Sequence, residues 1–200
     1  MSGSCQLIYF QNLKVVDRHA YDVELLLGAE LNILDERGTV DLPERTLSRL
    51  DIAIASLHTP CITPGSREYN TQACLNAMKN PWVHILGHPD DPRYPVDYRA
   101  LVQGAKEYHV MLELNENSLR PGGSRKNTRP QDEEMLRLCM EYRVPIVMGS
   151  DAHVDTDVGR HELAHALLEE LNFPDELVVN RSVKALKEML EKKHGLASGL

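Results

Sequence analysis

The sequence predicts an α/β fold with a largely parallel sheet, and two observations support that prediction. Short runs rich in Val, Ile and Leu alternate with longer helical patterns, which is the order expected of βα units. The apolar runs are nearly continuous, as in strands that are buried on both faces. A closed barrel and an open sheet both satisfy this pattern. A chain of 200 residues with 42% hydrophobic content is expected to form one domain, over residues 1–200.

The apolar runs predict the strands in chain order. The first run begins at Val23 and ends at Glu30. Four clear runs and a weaker last one follow it. These later predicted strands cover residues 52–57, 83–86, 110–114, 145–148 and, in the weaker run, 177–179.

Helical patterns predict five helices between and after these strands. Asp97 and Ser182 can accept hydrogen bonds from the N–H groups of a first helical turn, and Pro130 suits the start of another helix. Gly195 is expected to end the last helix. The predicted helices cover residues 70–79, 97–108, 131–142, 159–171 and 182–193.

Charge and cysteine usage exclude several classes of protein. The formal net charge of -8 argues against a nucleic-acid partner, because neutralising phosphates requires clustered Lys and Arg. The four cysteines are widely spaced and form no C-x-x-C pair, which disfavours a cysteine zinc site and a dense disulfide framework. No apolar run approaches the ~20 residues that span a bilayer. We expect a cytoplasmic protein with no membrane partner.

Five residues of metal-binding types follow the apolar runs at their downstream ends. Parallel strands bring these ends together, and α/β barrels place their chemistry there. The strand-end residues are Glu30, His58, His88, Asp151 and His153. The sequence therefore predicts a buried metal site at the carboxyl ends of the strands.

Each strand-end motif also has a simpler interpretation. Proline follows His58 and His88 closely and forces the chain out of the strand, although either histidine alone would more often be a hydrogen-bonded structural residue. Asp151 and His153 are two positions apart and can bind adjacent cations, or Asp151 can simply stabilise a turn. Glu30 has two carboxylate oxygens that can bridge two cations, or it is a surface carboxylate.

Residues 120–130 form the one stretch that reads as an extended loop. It carries three Arg and one Lys just beyond a predicted strand. In an acidic chain, this positive charge makes Arg125 and Lys126 candidates for binding an anionic substrate, and Asn117 a candidate for an orienting hydrogen bond. A solvated loop is the alternative interpretation.

A competing motif occurs late in the chain. His161, Glu162 and His165 match H-E-x-x-H, which on a helix places both histidines on one face with the glutamate as a base. This pattern is typical of zinc metalloproteases. An amphipathic helix that packs its leucines inward explains the same residues.

Four short motifs, which follow one another along the chain in a fixed order, resemble those of a known family. They are Gly28-Ala-Glu-Leu-Asn32, Ser56-Leu-His-Thr-Pro60, Gly87-His-Pro89 and Gly149-Ser-Asp-Ala-His153. This set resembles the PHP (polymerase and histidinol phosphatase) superfamily, and most closely its YcdX-type phosphatase branch. The resemblance implies a distorted (β/α)7 barrel with up to three zinc or manganese ions. It also implies hydrolysis of small phosphate monoesters by metal-activated water.

The resemblance implies a role for each strand-end residue. Glu30 would be the bridging carboxylate and would share the second metal with His58 and His88. Asp151 would bind the first metal, and His153 the third.

The chain also departs from the family pattern. It has none of the N-terminal H-x-H and TDHG-like or TEHG-like motifs, so we expect a barrel that lacks about two βα units. Only the second metal position would then keep all its ligands. A remnant that is inactive or only binds metal is the alternative, and the exposed barrel edge would favour homo-oligomers or aggregation.

Overall fold

The apolar runs form the strands of one parallel sheet in the computed structural model, which describes residues 4–19 and 22–197. The strands are β1 (Gly28–Asn32), β2 (Ile52–Ser56), β3 (Ile85–Leu86), β4 (Met111–Asn115) and β5 (Ile146–Gly149). They pair in sequence order, and every pair is parallel. The predicted α/β fold with a parallel sheet is confirmed. Within the described residues β1 and β5 are the outer strands, so the closed barrel implied by the resemblance stays a prediction.

Eight α-helices of the described chain precede, connect and follow the strands. They are α1 (Ser4–Gln11), α2 (Glu44–Leu47), α3 (Arg67–Met78), α4 (Tyr98–Tyr108), α5 (Glu116–Leu119), α6 (Arg129–Tyr142), α7 (Glu162–Glu170) and α8 (Val183–Ala197). The five predicted helices correspond to α3, α4, α6, α7 and α8. Asp97 accepts the N–H of Ala100, and Ser182 accepts that of Ala185, so both predicted caps are present. None of the helices in the described part of the chain is long and apolar enough to cross a membrane.

Three local predictions are wrong. The first strand begins at Gly28 and not at Val23, and it continues past Glu30 to Asn32. The weak strand at 177–179 is replaced by short 3-10 helices at Asp175–Leu177 and Val179–Arg181, with a single bridge from Val178 to Ile146. The side-chain amide of Asn180 bonds both the N–H and the carbonyl of Met148, so it takes the place of a paired strand. Gly195 does not end α8, which continues to Ala197, because one glycine costs a helix only about 1 kcal/mol.

The sheet is buried on both faces, as its nearly continuous apolar strands predict. Alternate strand residues such as Leu86 and Leu112 belong to the larger core, which includes side chains of α3, α4, α6 and α7. The intervening residues Ile85, Met111 and Val147 form a smaller core with α8. The helix α8 thus covers the face of the sheet opposite the other long helices.

Lys193 anchors α8 to the rest of the fold. Its side chain is 1% exposed, and Nζ donates hydrogen bonds to the carbonyl oxygens of Met78 (2.7 Å) and Tyr108 (3.0 Å), the last residues of α3 and α4. Burial lowers the pKa of Lys193 to about 8. The folded protein therefore loses the Lys193 proton at a lower pH than the unfolded chain does.

This buried lysine predicts a rise in stability at alkaline pH. Above pH 8 the unfolded chain still binds the proton that folded Lys193 has released, so the free energy of unfolding rises with pH, by up to about 3 kcal/mol. Urea unfolding of Lys193→Met from pH 7 to 10 should lack most of this rise. Lys192→Met, at the exposed neighbouring position, is the control and should keep it; equal slopes in both variants would contradict the prediction.

Candidate metal centre

Three of the predicted ligands converge near the carboxyl ends of the first three strands. Glu30 lies in β1, and His58 and His88 lie two residues beyond β2 and β3. The Oε1 atom of Glu30 is 3.2 Å from Nε2 of His58 and 3.1 Å from Nε2 of His88, and the two nitrogens are 3.1 Å apart. This group is the one set of three or more potential ligands that converges in the described residues, and it could hold a metal ion.

Asn32 and Asp41 orient the imidazole of His58. The Nδ2 atom of Asn32 donates to Asp41 at 2.6 Å, which directs its Oδ1 atom to Nδ1 of His58 at 2.8 Å. Nδ1 of His58 must therefore carry the proton. When the ring is neutral, its Nε2 atom directs a lone pair at the cluster, as a histidine ligand to a metal requires; when the ring is protonated, Nε2 donates to Glu30 instead.

The electrostatics of the cluster favour an ionised carboxylate. Hydrogen bonds from His58 and then His88 hold the pKa of Glu30 well below its usual range. Burial acts to lower the pKa of His88, but the carboxylates of Glu30 and Glu113 outweigh it and leave that pKa raised. The cluster therefore attracts positive charge, whether a proton or a cation.

Glu113 is a site residue that the sequence reasoning missed. It lies in β4, is 6% exposed, and accepts the backbone N–H of His88 at 2.8 Å. Burial raises its pKa. A signal was present in the sequence, because Glu113 interrupts an apolar strand and burying a lone carboxylate is costly. Only the strand register reveals which ligand it reaches.

Asp151 and His153 lie outside the three-residue cluster. The Oδ2 atom of Asp151 accepts hydrogen bonds from Nη2 of Arg125 (2.6 Å) and from Nδ2 of Asn117 (3.3 Å). His153 is 79% exposed, and its Nδ1 atom bonds the backbone carbonyl of Asp151 at 2.9 Å. The structure therefore places Asp151 against Arg125 and His153 at the surface beside Asp151, and neither belongs to the cluster around Glu30.

The two predicted cations of the loop differ in environment. The side chain of Arg125 is 9% exposed, and besides Asp151 it bonds Oγ of Ser118 (2.7 Å) and Oδ1 of Asn115 (3.3 Å). Lys126 is exposed, in the lining of a cavity of about 640 Å³ between the loop and α7. Arg125 also lines this cavity, although its hydrogen bonds make it a connector, whereas Lys126 is exposed in it.

Other histidines do not form a comparable centre in the described residues. His161 precedes the first turn of α7, and Glu162 and His165 are exposed. His84 accepts the N–H of Ala53 on Nδ1, so its Nε2 atom carries the proton that bonds Nε2 of His194 at 2.8 Å. A protonated Nε2 is not available to a metal.

The fold and the cluster define an α/β protein with a candidate metal centre at the carboxyl ends of a parallel sheet. No family model matches the sequence. The chain is 44% identical over 200 residues to a probable phosphatase of Caldanaerobacter subterraneus subsp. tengcongensis, covering 100% of this chain and 78% of that relative. It is 45% identical over 195 residues to a probable phosphatase of Caldicellulosiruptor saccharolyticus, covering 98% and 80%. The chain belongs to this family of probable phosphatases.

A solved structure adds information on the fold. A chain in the cryo-EM structure of archaeal ribonuclease P with mature tRNA matches with a TM-score of 0.60 at 18% identity. The match covers 94% of this chain and 77% of that chain. At this identity the likeness shows a shared fold alone.

Close packing around Glu113 predicts that Gly149 tolerates no side chain. A Cβ atom added to Gly149 would overlap Oε1 of Glu113 and displace the buried carboxylate. Gly149→Ala should lower the free energy of unfolding by about 1–3 kcal/mol, as overpacking does. Gly195→Ala is the control, because a Cβ there meets nothing within 4 Å. Urea unfolding checks both, and a Gly149→Ala protein as stable as the Gly195→Ala protein would refute the prediction.

Proposed function

We propose that this protein is a metal-dependent phosphatase of the PHP type, which hydrolyses small phosphate monoesters. The observation that carries the proposal is the convergence of Glu30, His58 and His88 in a chain whose relatives are probable phosphatases. The four motifs that resemble the PHP superfamily support the same conclusion, and with it a barrel of the (β/α)7 type.

The donor set of the cluster fits the proposed metal. Two imidazole nitrogens and a carboxylate oxygen are ligands that zinc and manganese accept. Three protein ligands also leave a coordination position for water or substrate. A metal bound there supplies Lewis-acid chemistry, since it polarises a phosphoryl oxygen and lowers the pKa of a bound water.

The residues of the chain hold and orient the reacting groups. Glu30 is ionised and would be shared between this ion and a further one held by Asp151, and His153 would hold a third. A metal ion at Asp151 would have to displace the guanidinium of Arg125, which forms an ion pair with this carboxylate. We propose that the phosphoryl group contacts Arg125, Lys126 and Asn117. The two cations would stabilise the negative charge that develops on its oxygens, by about a few kcal/mol.

Metal content and hydrolysis together test the proposal. We expect the purified protein to bind zinc or manganese and to hydrolyse p-nitrophenyl phosphate, with activity lost in EDTA and restored by the metal. His58→Ala and His88→Ala should lower the metal content measured by native mass spectrometry. They should also reduce kcat/KM by on the order of 100-fold or more, because each removes a ligand.

The H-E-x-x-H motif provides the control. His161→Ala and His165→Ala should leave metal content and hydrolysis unchanged. A fall of metal content in these variants, with full content in His58→Ala, would refute the proposed centre. Metal binding without hydrolysis of any phosphate monoester would refute the phosphatase activity and support a metal-binding remnant.

A further inference from the structure

We infer that Glu113 is a positioning residue of the candidate metal centre, and that it holds the backbone of His88 so that the imidazole meets Glu30 and His58. The inference rests on the proposed function, since it concerns the same centre. Glu113 does not belong to the converging ligand group. It acts through His88.

The hydrogen bonds of Glu113 connect it to the His88 backbone. Its Oε2 atom accepts the N–H of His88 at 2.8 Å and Nδ2 of Asn115 at 3.2 Å. His88 is itself 4% exposed, so water has little access to its N–H group. Without the carboxylate this donor would be buried and unpaired, at a cost of about 1–3 kcal/mol.

His88 requires such support because its backbone is strained. Its φ angle is 30°, in the left-handed region that residues with a Cβ seldom adopt. A non-glycine residue persists there only where its surroundings hold it. This turn directs the His88 ring to the cluster, where Nε2 lies 3.1 Å from both Glu30 and His58.

The strand register leaves a space for the Glu113 carboxylate. Ile85 of β3 pairs with Met111, so Gly87 follows β3 beside Glu113, while Val147 of β5 pairs with Glu113 from the other side. A Cβ on Gly149 would overlap Oε1, whereas one on Gly87 would lie at an ordinary contact distance of 3.5 Å from Oε2. The missing side chain of Gly149 therefore leaves the space that the carboxylate occupies between the strand ends.

Glu116 offers a matched comparison just after β4. It is 2% exposed, and its carboxylate also accepts two hydrogen bonds, from the backbone N–H groups of Leu163 (3.1 Å) and Ala164 (2.8 Å). These groups lie at the start of α7, and α7 contributes no residue to the cluster. Loss of Glu116 should therefore destabilise the fold about as much as loss of Glu113, without affecting the metal centre.

Zinc affinity separates positioning from packing. We would measure the Zn²⁺ affinity of the wild type, Glu113→Met, Glu113→Gln and Glu116→Met by competition with a chelating dye, and their stability by urea unfolding. Glu113→Met fills a similar volume but accepts no hydrogen bond, so the affinity should fall by about 10–100-fold. Glu113→Gln keeps an accepting oxygen and should recover most of that loss. Glu116→Met should lower stability and leave zinc affinity at the wild-type value.

Each other outcome has a defined meaning. If Glu113→Met binds Zn²⁺ as tightly as the wild type does, the inference is wrong and the proposed function is unaffected. If the wild type itself binds no Zn²⁺, both the proposed function and the inference are wrong. A loss in Glu113→Gln as large as in Glu113→Met also overturns the role as hydrogen-bond acceptor. If Glu113→Met does not fold, NMR of the wild type tests the hydrogen bond between the His88 amide and Glu113. The His88 amide proton should be shifted downfield and protected from exchange with solvent. An amide proton that exchanges as fast as a solvent-exposed one refutes the inference.

Discussion

Parallel pairing of the five strands is the constraint on which the rest of this structure depends. Because all strands run in one direction, the loops that follow β1, β2 and β3 leave the sheet at one edge. Residues far apart in the chain then meet there, and the oxygen of Glu30 lies within 3.2 Å of two imidazole nitrogens. A one-residue change of register in β1 would turn the Glu30 side chain to the opposite face of the sheet and separate it from the two histidines.

A continuous polar network lies beneath this edge of the sheet. It runs from His88 to Glu113 and Asn115, and from there through Arg125 to Asp151. Burying so many polar groups is favourable only where they bond one another. The network therefore ties the three-residue cluster to the loop that carries the cations. Residues predicted separately, as metal ligands and as substrate contacts, form one connected system in the fold.

The tautomers of the histidines distinguish the candidate centre from the other histidine pair. The side-chain oxygen of Asn32 accepts a hydrogen bond from Nδ1 of His58, so Nε2 of the neutral ring keeps its lone pair. In contrast, the N–H of Ala53 donates to Nδ1 of His84, so the Nε2 atom of His84 carries the proton. The two pairs have similar separations, 3.1 Å and 2.8 Å, yet opposite chemistry. One neighbouring group in each case decides whether two close imidazoles can bind a metal.

The sequence by itself determined the α/β class, most of the strands, the long helices, and the placement of His58 and His88 just beyond their strands. It could do so because the apolar pattern reflects burial on both faces of the sheet. It could not identify Asn180 as a replacement for a strand, since that depends on a side chain meeting the edge of β5. Only the tertiary structure decided that Asp151 pairs with Arg125 and that Glu113 supports His88. Contacts between residues remote in the chain depend on strand register and on the space left by Gly149, and no local pattern encodes them.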